Sequence, residues 1–313
     1  MEKIPVGETI AHAYGFAVRE FPKLLGIVWA PLAVSIAVGL MMTPGFIGNH
    51  IDPNDHDAIT RFSMQMLPLS VLILLPIRAM IATGVTEQAL GMRQGVTFVY
   101  FSVGPAIWRF IASWLLVIVA MIILLVGTAI AGGLLFAVGG FALGNILHGA
   151  TAEIVGLLGA LVFVLFFYAA AIYLAIRLTF FIPPVVVAEK KIDLARVWQL
   201  SHGNFWRIFA VALALVIPMI AITLVVMIAI YGPTTLFHIF GIFSLAIHGA
   251  QENAIQAQIQ AWGEAMRARG LVMWPYNAVF GLLFGTFTYG LLYSASAFAY
   301  RAVLTSPDQT LRG

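Results

Sequence analysis

Long apolar runs separated by short charged stretches set the rhythm of this chain. Five of them, 24–46, 110–131, 154–182, 208–230 and 271–300, are each long enough to cross roughly 30 Å of hydrocarbon as a helix. A sixth, 66–90, carries one Arg and one Glu, Arg78 and Glu87. The pattern predicts an all-α polytopic transmembrane bundle of six spans. Two further apolar runs, 132–148 and 235–247, are short for a span. Making either one a seventh span would put Lys190, Lys191 and Arg207, or Arg301 and Arg312, on the wrong side, so both are expected to be interfacial or re-entrant segments on the outer face.

A second pattern precedes the odd-numbered spans. Apolar residues recur at relative positions 0, 3, 4, 7 and 11, one stripe of an α-helix. The first copy is Ile10, Ala13, Tyr14, Ala17 and Phe21, and the second is Val96, Val99, Tyr100, Val103 and Ile107. The third is Leu194, Val197, Trp198, Ser201 and Phe205, with Ser201 only weakly apolar. An aromatic falls in the same slot each time and a cation follows nine positions later, giving Tyr14 with Lys23, Tyr100 with Arg109, and Trp198 with Arg207. An amphipathic helix with an aromatic and a terminal cation suits the headgroup zone, so these six residues are expected to be interfacial anchors. The chain is therefore expected to form a single membrane domain, 1–313, of three parallel repeats, 4–92, 93–191 and 192–313. Each repeat is an amphipathic helix followed by a two-span hairpin.

Composition agrees with lipid. Hydrophobic residues make up 62% of the 313 and charged residues only 9%, against about 25% charged in an ordinary soluble domain. With no cysteine, disulfides, thiolate metal sites and a cysteine nucleophile are excluded. The opening residues have acidic side chains and no compact apolar core before a small-residue cleavage site, so no removable signal is expected. Segments 1–23, 78–109, 177–207 and 301–313 hold 13 of the 16 Lys and Arg residues. That bias predicts a bacterial cytoplasmic (inner) membrane protein with both termini in the cytoplasm.

Among candidate sites, Arg78 and Arg177 lie late in even-numbered spans, and Arg301 lies near the end of span six. A guanidinium at mid-bilayer costs about 2.5–3.5 kcal/mol on insertion scales, so it must snorkel, pair or bind. Glu87 and Glu189 are candidate partners, and a phosphate-bearing lipid or anionic substrate is the alternative, since the planar fork of Arg suits phosphate. Pro183-Pro184 should end or break span four and leave 185–188 irregular. His50, Asp52, Asp55, His56 and Asp57 are ligand types for a divalent cation, but they lack the spacing of a calcium loop and read as solvated loop. His148, His238 and His248 occur singly. The glycines from Gly127 to Gly144 allow close helix packing, and Ala250–Arg269 reads as an outer-face amphipathic helix. No metal or cofactor is expected. Neither a phosphate loop, a dinucleotide fingerprint, a zincin pair nor a nucleophile elbow is present, and no basic patch points to nucleic acid.

Residues 177–209 place Arg177, Pro183, Pro184, Glu189, Trp198, Gly203, Phe205, Trp206 and Arg207 in an order that resembles bacterial membrane proteins related to the glycerophosphoryl diester phosphodiesterase membrane domain and the YciC-like family. The ending LLYSASAFAYRAVL is similar to that family's last span. The resemblance implies a six-span module of largely unassigned function, and no phosphodiesterase activity, since that belongs to a soluble domain absent here. A threefold six-span arrangement also resembles mitochondrial carriers, but their signature at the ends of odd spans is missing.

The expected function is a non-enzymatic scaffold or accessory factor that engages membrane lipids or a protein partner through cytoplasmic amphipathic helices. The alternative is a transporter or lipid-handling protein with Arg78, Arg177 and Arg301 converging on a phosphate-bearing or anionic substrate.

Overall fold

A computed structural model describes residues 3–41, 56–93, 95, 98–146, 150–247 and 252–304. Helix is the regular structure of the described residues, without strands. In chain order the helices are α1 (Val6–Arg19), α2 (Phe21–Met41), α3 (His56–Ala89), α4 (Pro105–Ile146) and α5 (Ala150–Thr179). A single turn α6 (Ile182–Pro184) and a π-helical turn (Val185–Glu189) then lead into α7 (Leu194–Ser201), α8 (Phe205–Tyr231), α9 (Thr234–Ile247) and α10 (Glu252–Leu304). Six segments are long and apolar enough to cross a membrane: Phe21–Met41, Thr60–Ala89, Pro105–Leu134, Val155–Glu189, Phe205–Tyr231 and Val272–Leu304. In hydrocarbon the backbone has no water to bond with, and the helix satisfies each amide within its own segment.

The chain divides into two compact units: one of residues 1–9, 103–210 and 296–313, the other of 10–102 and 211–295. In the first, Phe110 of α4, Phe181 and Ile182 beside the double proline, Leu200 of α7 and Ile208 of α8 are fully buried. In the second, the core is made by Leu24 and Ile27 of α2, Ile81 of α3, Leu215 of α8 and Leu291 of α10. Gly84 of α3 is needed for that packing, because a Cβ there would stand 2.7 Å from Ile27 Cγ2 and 2.8 Å from Tyr100 Cε1. By contrast the apolar side chains of α5 from Leu157 to Phe166 are largely exposed, the state expected of a face that meets lipid.

Proline explains one contact of the second unit. Pro218 lies inside α8, and its missing N–H leaves the carbonyl four residues earlier, Ala214, without its helical donor. The Tyr14 hydroxyl donates to that carbonyl at 3.3 Å. Partial burial raises the Tyr14 phenol above its ordinary pKa, which keeps it protonated as a donor. On α1, Thr9, Ala13, Phe16 and Ala17 are buried while Glu8, Ala11, His12 and Arg19 are exposed. One side of the helix therefore faces protein.

Several local expectations are corrected. The stripe of the second repeat is not helical over 98–104, where the chain is bent or extended and helix begins only at Pro105. Positive φ at Gly91 and Gly95 turns the chain, and the β-branched Val99 and Val103 favour extended backbone. Residues 132–146 are not a re-entrant segment but the continuation of α4, which runs for 42 residues. At 1.5 Å per residue α4 is about 63 Å long, roughly twice the hydrocarbon thickness, and its apolar span ends at Leu134. Residues 235–247 fall in α9, whose 14 residues reach about 21 Å, less than a span. From Glu252 on, the expected outer-face helix is the beginning of the 53-residue α10.

The Tyr14 contact makes a testable prediction. Tyr14→Phe should cost about 1 kcal/mol, read as a lower midpoint in thermal unfolding in detergent. In a Pro218→Ala background the new backbone N–H satisfies Ala214, so the same substitution should then cost little. Equal losses in both backgrounds would refute the assignment.

Candidate functional site

The double proline creates the most polar part of the first unit. Pro183 and Pro184 have no amide to donate and crowd the preceding turn, so α5 stops at Thr179, before them. The chain resumes as α6, and the amide of Val185 donates to Phe181 O at 3.1 Å. Residues 185–189 are therefore not an irregular link but a π-helical turn, with Val185, Val186 and Val187 buried. Lys190 ends it in the left-handed region at φ 55°. Asp193 caps α7, accepting from the Arg196 amide at 2.8 Å, as expected of an N-cap carboxylate. Gly203 at φ 74° turns the chain into α8.

This elbow closes over Arg177. Only 4% of its surface is exposed, and its three nitrogens each find a neutral partner. Nε donates to Ser201 Oγ at 3.2 Å, Nη1 to the Tyr173 hydroxyl at 2.7 Å and Nη2 to the Trp198 carbonyl at 3.1 Å. The guanidinium also lies 3.5 Å from the centre of the Trp198 ring, and Tyr173 packs on Phe205 with ring centres 4.6 Å apart. A buried charge normally demands a counter-charge. Here oriented dipoles and an aromatic face hold it, and no carboxylate pairs with it among the described residues.

Glu189, a candidate partner for Arg177, is engaged elsewhere. Its Oε1 accepts from Arg196 Nε at 3.0 Å and from the Tyr300 hydroxyl at 2.9 Å, which ties the π turn to the last turns of α10. Next to it, Asn204 Oδ1 accepts from the Ile4 amide at 3.1 Å, and Arg207 Nη1 donates to the Ile4 carbonyl at 2.7 Å. These acids, bases and amides satisfy one another and form a joint between the elbow, Ile4 and the last turns of α10.

Of the other expected site residues, Arg78 is exposed on α3 in the second unit, and Glu87 faces Arg93 at 4.0 Å instead. Arg301 is exposed in the last turn of α10. Lys23 pairs with Glu20 at 2.7 Å. Tyr100 is buried, with the Arg93 guanidinium 4.2 Å from its ring centre, and Arg109 is half-buried at the start of α4. Trp198 serves the Arg177 cage, and Tyr14 the Ala214 carbonyl. His238 contacts Gln258 Nε2 through Nδ1 at 3.2 Å, while His50, Asp52, Asp55, His148 and His248 lie outside the described residues. No His, Asp and Glu group of three or more comes together among the described residues.

A cavity of about 400 Å³ lies between α8 and α10 in the second unit, lined by Leu215, Met219, Leu224, Phe284 and Leu291, with Thr223 and Thr288 as its polar members. None of the three arginines lines it.

Two residues escaped the reading of the sequence as a register. Trp108 and Trp206 each precede the cation that opens a span, and they are 59% and 74% exposed, in contrast to the half-buried arginines that follow them. The signal was a Trp-Arg doublet at the heads of spans three and five.

Replacing Arg177 tests the joint. Arg177→Lys keeps the charge but loses the planar stack and the three-way fork, and should destabilise the protein by about 2 kcal/mol. The readout is thermal unfolding followed by tryptophan emission, and an unchanged midpoint would refute the cage.

Compared with known proteins, the chain matches no family model, no curated protein and no solved structure.

Proposed function

We propose that this protein is a non-enzymatic integral membrane scaffold or accessory factor of the bacterial cytoplasmic membrane, which grips lipid through an aromatic and basic rim on its charge-rich, cytoplasmic side. The observation that carries the reading is the pair of doublets, Trp108-Arg109 and Trp206-Arg207, at the heads of spans three and five. An indole exposed beside a cation at a span terminus suits the headgroup layer, where tryptophan is enriched and anionic phosphate attracts arginine. Exposed Lys190 and Lys191 add charge to the same rim, and exposed Phe98 and Phe101 offer apolar area just before span three.

The polar groups of the elbow favour this reading over catalysis, because they are consumed by one another. They also weigh against a transporter binding an anionic substrate between repeats: the donors of Arg177 are turned onto its neighbours, and the α8–α10 cavity is apolar. We keep the repeat reading for its first and third copies, which begin with the helices α1 and α7, as two related ways of leading a cytoplasmic segment into a span. Kinship with the glycerophosphoryl diester phosphodiesterase membrane domain rests on residues 177–209 and belongs to the same proposal.

The test is depth. In nanodiscs containing lipids brominated either near the headgroup or at the chain end, the difference in emission between the wild type and Trp108→Phe/Trp206→Phe isolates these two indoles. Quenching should be stronger from bromines near the headgroup. Equal or stronger quenching from the chain end would overturn the rim.

A further inference from the structure

Arg78 and Arg177 occupy similar late positions in spans two and four, yet their surroundings are opposite. Arg177 is buried and its nitrogens are engaged. Around Arg78, Ile77, Ala79, Met80 and Ile81 are all buried while the arginine itself is exposed. No hydrogen bond or ion pair reaches its guanidinium among the described residues. Glu87, the carboxylate that could have neutralised it from the same helix, faces Arg93. On α10, Tyr293 feels the charge of Arg78 and stacks against Tyr289 with ring planes 4° apart and centres 6.0 Å apart.

Depth sharpens the problem. The charges that flank this span, Arg61 and Glu87, are about 39 Å apart along a straight helix, so a hydrocarbon layer of roughly 30 Å centred between them places the Arg78 backbone about 6 Å from the mid-plane, on the Glu87 side. A cation exposed there must snorkel or pair. The arginine stem, roughly 7 Å long, carries its head to about 13 Å from the mid-plane, just inside the edge of the layer, where a phosphate drawn inward by local thinning can meet it. A guanidinium fork offers two parallel N–H groups to two phosphate oxygens.

We propose that Arg78 binds the phosphate of one anionic phospholipid in the leaflet on the Glu87 side. This rests on the lipid-engaging reading above but uses a different unit and different residues, so the two fail separately. The occupant is a lipid rather than a free anion because the site opens toward acyl chains, and a soluble phosphate would have to enter hydrocarbon to reach it.

The experiment uses the full chain in detergent, titrated with phosphatidylglycerol, phosphatidylcholine or inorganic phosphate. Bound lipid is counted by native mass spectrometry, and stabilisation is followed by thermal shift. Wild type should retain one more phosphatidylglycerol than Arg78→Gln and bind it about tenfold more tightly. Arg78→Lys should fall between, and Lys190→Gln/Lys191→Gln should keep the site. Arg78→Lys, which keeps the charge but loses the fork, serves as the second variant if Arg78→Gln does not fold. The same lipid count and affinity in Arg78→Gln, or, should that variant not fold, unweakened binding in Arg78→Lys, would overturn the proposal. So would inorganic phosphate reproducing the full shift, or phosphatidylcholine binding as tightly as phosphatidylglycerol. Loss of headgroup quenching at Trp108 and Trp206 with this binding intact would sink the rim and leave the site standing.

Discussion

A backbone amide in hydrocarbon has no solvent to fall back on, and the helix is the local arrangement that satisfies it. The architecture follows from how the chain meets that demand and from the places where proline prevents it. Pro183-Pro184 stops α5, and the backbone recovers through a π-helical turn before leaving the membrane. Pro218 deprives Ala214 of its donor, and a tyrosine from α1 replaces it. In the second case the substitute comes from the helix that precedes span one, so a gap in one helix determines what another segment must supply.

The elbow after span four shows how one such gap organises its neighbours. Once the chain bends at residues 180–184, Arg177 comes beneath α7 and Glu189 comes near α10. The buried guanidinium is stabilised by an indole face, a phenol, a serine hydroxyl and a carbonyl, all neutral, so its charge is spread over oriented dipoles. The glutamate meanwhile pairs with Arg196 and Tyr300. A cation and an acid close in sequence thus avoid each other, because each has a better-shaped partner on a different element.

Much of the fold could be read from the amino-acid order, because an apolar run of some twenty residues has few alternatives in lipid. What could not be read were features decided by long-range packing. The stripe at Val96, Val99, Tyr100 and Val103 has helical spacing, but glycines at both sides and β-branched residues within it give a bent chain. The run 132–148 is short for a span and points to an interfacial or re-entrant segment, whereas 132–146 continue the helix of α4. Arg177 was legible as an unusual charge and Trp198 as an unusual aromatic, yet nothing in their spacing says that one stacks on the other, since the contact depends on the turn between them. The Trp-Arg doublets were in plain view and lacked only the observation that their indoles are exposed.

The Ile4–Asn204 and Tyr14–Ala214 contacts each join residues 200 positions apart. At about 5–20 residues per second, a ribosome needs roughly 10–40 s to make that intervening chain. Throughout that interval Ile4 and Tyr14 have been synthesised while Asn204 and Ala214 have not. Both contacts can close only after the head of span five has been made, so these early residues wait for partners 200 positions further along the chain.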